Sequence, residues 1–119
     1  MSNNPAAAFN PKKNLTYARS ITASQVNAVQ PAGFAQGGGY VLIFNAGPAH
    51  VLFAAYLNAN GPPTLVFPVD GAPPTGQPGT VIPAGAEEVI GIPANADSFA
   101  AIGSAAGPTL IYVQRGEGN

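Results

Sequence analysis

One histidine, five carboxylates and four tyrosines are the side chains from which this 119-residue chain could build a reactive site. His50 stands alone, which excludes a metal site held by two histidines, and a nucleophilic triad would need it to converge with a serine and a carboxylate. It opens an apolar run beside Pro48, and no nucleophile-elbow pattern occurs anywhere; a structural or interface role is expected for it. Glu87 and Glu88 are neighbours on an expected strand and point to opposite faces, so they cannot work as a facing acid and base. Edge charges that limit strand addition, or pairing with Arg19 or Arg115, are the roles they fit. Asp70 and Asp97 fall in turns, where carboxylates bond to nearby backbone amides, and without clustered carboxylates a calcium site has no basis. The absence of cysteine removes both a disulfide framework and a thiolate metal site. Tyr17, Tyr40, Tyr56 and Tyr112 could form a carbohydrate platform, but there is no tryptophan and each lies in an expected strand, where packing accounts for it. Three successive glycines, 37–39, could cradle a phosphate only ahead of a helix carrying Lys and Ser or Thr, and a β-branched, aromatic run follows instead. No enzyme, cofactor or metal is expected.

The elements that carry these residues are short. Residues 39–57 organise the rest: two apolar runs, 40–44 and 51–57, flank a cluster containing Gly47 and Pro48, which cannot continue a sheet ladder. The pattern predicts a β-hairpin. Neither run keeps a polar face. Val41 and Ile43 oppose Tyr40, Leu42 and Phe44, while Val51, Phe53 and Leu57 oppose Leu52, Ala54 and Tyr56. A strand that is apolar on both sides must be covered on both, and a chain this short is expected to leave the second cover to a neighbouring subunit or another protein. Further short strands are expected at 15–21, 24–29, 64–69 (an edge strand broken by Pro68), 80–83, 86–92, 98–102 and 109–114. The loop 30–39, the turn 58–63 with its Asn60-Gly61 hairpin signal, and the long loop 70–79 separate them. No window keeps a helical period over three turns. The expected fold is all-β: an antiparallel β-sandwich or jelly-roll-like domain of about eight short strands over residues 15–119, preceded by an extended arm over 1–14 with Phe9 as its anchor and Lys12 and Lys13 beside it.

Composition narrows the partners. Charged residues make up 8% of the chain, against about 25% in an average soluble domain, while 46% are hydrophobic and the chain holds 15 glycines and 13 prolines. Disorder goes with high charge and few apolar residues, so this is a folded body cut into pieces by turns. A net charge of -1, with its few charges scattered, supports neither nucleic acid nor an anionic membrane as partner. No run approaches the roughly 20 apolar residues of a membrane span, and the first residues lack a secretory pattern, so a soluble protein made in the cytoplasm is expected. So little charge protects poorly against association. An intended homo-oligomer, a dimer or trimer, is the expected use of that surface.

Four short motifs in order carry a family resemblance: V-x-I-x-N-A-G at 41–47, I-P-A-G at 82–85, F-A-A-I at 99–102, and a T-x-x-x-V strand at 109–113 running into G-E-G at 116–118. With them, residues 40–118 resemble a group of small virion structural proteins of tailed bacteriophages. The resemblance implies a β-sandwich or jelly-roll-like decoration or cement protein that binds the major capsid protein or other virion proteins on the capsid surface and stabilises the shell, with no catalytic residues to carry over. A neck or tail structural protein, or a glycan-binding adhesive β-sandwich, is the alternative. The expected interface residues are Phe9, Lys12, Lys13, Tyr40, Leu42, Phe44, Leu52, Tyr56 and Tyr112.

Overall fold

Nine strands form two antiparallel sheets in the computed structural model, which describes residues 10–11, 16–34, 38–68, 70–71 and 79–117. In chain order they are β1 (Asn10–Pro11), β2 (Tyr17–Ile21), β3 (Val26–Ala28), β4 (Tyr40–Asn45), β5 (Val51–Tyr56), β6 (Thr80–Ile82), β7 (Glu87–Gly91), β8 (Ser98–Gly103) and β9 (Thr109–Glu117). Among the described residues the one helical piece is a 3-10 turn at Asn58–Asn60. The expectation of an all-β sandwich of about eight short strands holds, with the two-residue β1 in addition.

The first sheet runs β2-β9-β4-β7, with β1 sharing the β2 side of β9; the second runs β3-β8-β5-β6. The pairs β2 with β9, β3 with β8, β4 with β7 and β5 with β6 nest one inside the next, as in a long ribbon rolled up, and β4 with β9 and β5 with β8 close the two sheets. This is the order of a double Greek-key jelly roll. It corrects the expected hairpin over 39–57, because β4 and β5 lie in different sheets and do not pair. The turn between them is a corner. Asn45, at the end of β4, points inward with Val41 and Ile43 and turns the chain across the sandwich rather than back along the same sheet.

Alternation places the core. On β9, Thr109, Ile111, Val113 and Arg115 are buried while Tyr112 faces outward, the period of two expected of a half-buried strand. The facing layers meet through Val41, Ile43, Ile111 and Val113 from one sheet and Val51, Phe53, Phe99 and Ala101 from the other. Phe99 is the aromatic centre, with ring centroids of Phe53 at 5.0 Å, Phe34 at 5.4 Å and Tyr17 at 5.9 Å.

The outer side of the second sheet overturns another expectation. Leu52, Ala54, Tyr56 and Ala100 form a second buried cluster with Leu65, and Phe67 and Ile102 pack against it. The chain supplies this cover itself: residues 61–68 cross the sheet as a strap, without the strand expected from residue 64 onward. Pro62, Pro63 and Pro68 withhold backbone donors, and Gln25 replaces the missing ladder. Its Oε1 accepts the Leu65 N–H at 2.7 Å and its Nε2 donates to the Pro63 carbonyl at 2.7 Å. Asn60-Gly61 makes no hairpin; Gly61, at φ 80°, ends the 3-10 turn and starts the strap.

Candidate functional site

Several of the residues singled out for possible chemistry have a structural occupation. The His50 ring is exposed, and its Nδ1 accepts the Ala84 N–H at 3.0 Å. Ser104 bonds to the His50 backbone: its Oγ accepts the His50 N–H at 3.2 Å and its N–H donates to the His50 carbonyl at 2.9 Å. Glu87 and Glu88 are exposed on β7, on opposite faces, and neither side chain has a partner among the described residues. No group of three or more metal-ligating side chains occurs among the described residues.

Asp97 reaches further than a local turn. Its Oδ1 accepts the Asn58 N–H at 2.8 Å and the Ser98 hydroxyl at 3.0 Å, and its Oδ2 accepts from Gln30 Nε2 at 3.1 Å. The Asn58 amide, then Gln30 and Ser98, hold its carboxyl below the usual range. Gln30, the one non-glycine residue at positive φ among the described residues (46°), is fixed there by this bond and by its own N–H donating to Ser98 Oγ at 2.9 Å.

Arg115, one of the two arginines weighed as a partner for Glu87 or Glu88, bonds to backbone carbonyls instead. It is 1% exposed, and its guanidinium donates to four backbone carbonyls: Gly38 at 2.6 Å, Ala96 at 2.7 Å, Ala94 at 3.1 Å and Phe34 at 3.2 Å. It also lies 5.0 Å from the Phe34 ring centroid, within cation–π range. Burial lowers its pKa, and the charge of Asp97 acts in the opposite direction. Asn45 is the matching hub at the other end. Fully buried, it donates from Nδ2 to the Ala49 and Ile82 carbonyls, each at 2.9 Å, and accepts at Oδ1 from the Gly47 N–H at 2.8 Å and the Thr109 hydroxyl at 3.2 Å. Both hubs have a sequence signal that the reading above did not use: each shares the inward parity of the apolar residues on its strand. These residues build the fold: Asp97, Arg115 and Asn45 each tie segments that are distant in sequence.

What remains without an internal role is an outward face of the first sheet. Tyr40, Phe44 and Tyr112 are 42%, 39% and 37% exposed. The register puts Phe44 opposite Tyr112, and Leu42 opposite Val89, on this same side. The Phe44 and Tyr112 rings stack at 6.2 Å with 19° between their planes. With Leu110, these make an apolar stripe across β7, β4 and β9, rimmed by Glu87, Gln114, Ser20 and Ala18.

Of the nine residues expected at an interface, Tyr40, Leu42, Phe44 and Tyr112 are thus brought together on one face. Leu52 and Tyr56 are not: the strap buries them, which corrects their assignment to an external partner. Burial raises the Tyr56 pKa, and its hydroxyl, near Ser98, lacks a hydrogen-bond geometry to any described residue. Phe9, Lys12 and Lys13 lie outside the described residues, as does most of the loop 70–79. The part of the arm that is described, β1, pairs with Gly116 and Glu117 of β9. Comparison with protein-family models, with curated proteins and with solved structures gives no match to this chain.

Proposed function

We propose that the chain is a structural protein of a phage-type virion, a decoration or cement protein that seats the outer face of its first sheet on the assembled capsid shell. The observation that carries this reading is the exposed stripe of Tyr40, Phe44 and Tyr112 with Leu42 and Val89, a contiguous apolar patch of the kind that marks an interaction surface. The motif resemblance and the jelly-roll order, an architecture used by viral capsid domains among others, support it. Fold alone does not assign function.

Burying about 400 Å² of apolar surface at about 25 cal/mol per Å² yields roughly 10 kcal/mol per contact before association and ordering costs. A protein that spans a joint between shell subunits makes that area an obstacle to their separation, and repetition over the shell multiplies it. Purified chain is expected to co-sediment with particles stripped of it, and the double variant Phe44→Ser/Tyr112→Ser to bind at least about a hundredfold more weakly, by loss of two aromatic anchors. Equal binding by the double variant would refute the assignment of this face.

A second reading rests on the near-parallel Phe44 and Tyr112 rings, a surface on which a sugar ring could stack. Binding of the isolated protein to a glycan array, lost in Tyr112→Ala, would favour that adhesive module over the shell protein.

A further inference from the structure

The two outer edges of the first sheet differ in charge. Among the described residues, β2 on one side pairs only with β9, and β7 on the other pairs only with β4. The β7 edge carries Glu87 and Glu88, both exposed and without side-chain partners among the described residues. The β2 edge carries Arg19, exposed, its Nη1 donating to the Tyr17 hydroxyl at 3.3 Å. Charges on edges ordinarily block strand addition. Here opposite signs block β7 against β7 and β2 against β2 while leaving β7 against β2 attractive, which is how charge selects one pairing over its competitors.

We infer that β7 of one copy pairs antiparallel with β2 of the next, so that the first sheet runs on from copy to copy in a head-to-tail assembly. Three further features fit. Both strands are five residues long. All neighbours in the sheet are antiparallel, so β7 and β2 point in opposite directions and a second copy adds without being turned over. The register that sets Arg19 opposite Glu88 also sets Tyr17 opposite Ile90, two partly buried side chains already packed on the core, and Ala18 opposite Val89 on the outer face. The aromatic stripe would then continue across the joint. An interface of two different edges is heterologous and closes into a ring where the rotation between copies allows it. This self-association requires no shell, so it stands or falls separately from the proposed function.

Sedimentation velocity and native mass spectrometry of the purified chain test it. Wild-type protein is expected to associate with concentration and less so at high salt. Arg19→Glu and Glu88→Arg each replace an attraction with a repulsion and should weaken association by about tenfold or more, while the double variant Arg19→Glu/Glu88→Arg regains it. A wild-type chain that stays monomeric, single variants that associate like wild type, or a double variant that stays apart would each overturn the inference. Cross-linking checks the register independently of the charges, and the native chain has no cysteine to interfere. Mixed Ala18→Cys and Val89→Cys proteins should form a disulfide-linked heterodimer on mild oxidation. Val89→Cys homodimers in its place would show β7 against β7 and reject the pairing.

Discussion

Two buried polar side chains, Arg115 and Asn45, hold the ends of the sandwich, and at this scale stability is a matter of unpaired carbonyls. Arg115→Met would leave the carbonyls of Gly38, Phe34, Ala94 and Ala96 without the donors they now have. The expected loss is about 3–5 kcal/mol in urea unfolding, and Arg115→Lys should recover little of it, because an ammonium cannot reproduce the planar fork. A loss below about 1 kcal/mol would mean that water replaces the guanidinium freely. Asp97 gives a pH dependence. Its folded-state pKa lies below the unfolded value of about 3.9, so its contribution is present above that value and is lost as pH falls through the folded pKa. Unfolding midpoints measured from pH 6 downward should drop below about pH 4, and part of that drop should vanish in Asp97→Asn.

The strap over the second sheet decides how the elements cover themselves. Leu65 closes the cluster of Leu52, Ala54, Tyr56 and Ala100, and the strap has no ladder to hold it if that side chain is lost. Leu65→Ala is expected to cost about 2–5 kcal/mol and to raise binding of a hydrophobic dye in native conditions; unchanged stability would show that Phe67 alone suffices. The sequence shows the strands well because each is a short β-branched or aromatic run between turn residues, and the structure displaces most boundaries by one to three residues. It shows the connections poorly. Period and turn chemistry place a corner at 45–50 but do not say whether the chain crosses the sandwich or doubles back, and that choice rests on Asn45 meeting Ile82 and Thr109, which are distant in sequence. The strap escaped for the same reason: Pro62, Pro63 and Pro68 mark it as a poor strand, but only the tertiary fold lays it over Leu52 and Tyr56.

At the scale of the molecule, the double apolar character of β4 and β5 resolves into two different outcomes. β5 is covered by its own chain, whereas β4 keeps Tyr40 and Phe44 on a face that nothing among the described residues covers. That Tyr40, Leu42, Phe44 and Tyr112 share an outward face was legible because they hold the outer parity of their strands, opposite the inward Val41, Ile43 and Val113. The buried pair Leu52 and Tyr56 reads the same way in sequence and is told apart only by the strap. The measurement that bears most directly on the proposed role is the copy number of this chain in purified virus-sized particles from its source, by quantitative mass spectrometry against the major shell protein. A fixed, simple ratio to the shell subunit is the expected result, since a protein seated on a repeating lattice is counted by that lattice. Absence from the particles, or a few copies confined to one vertex, would contradict the account.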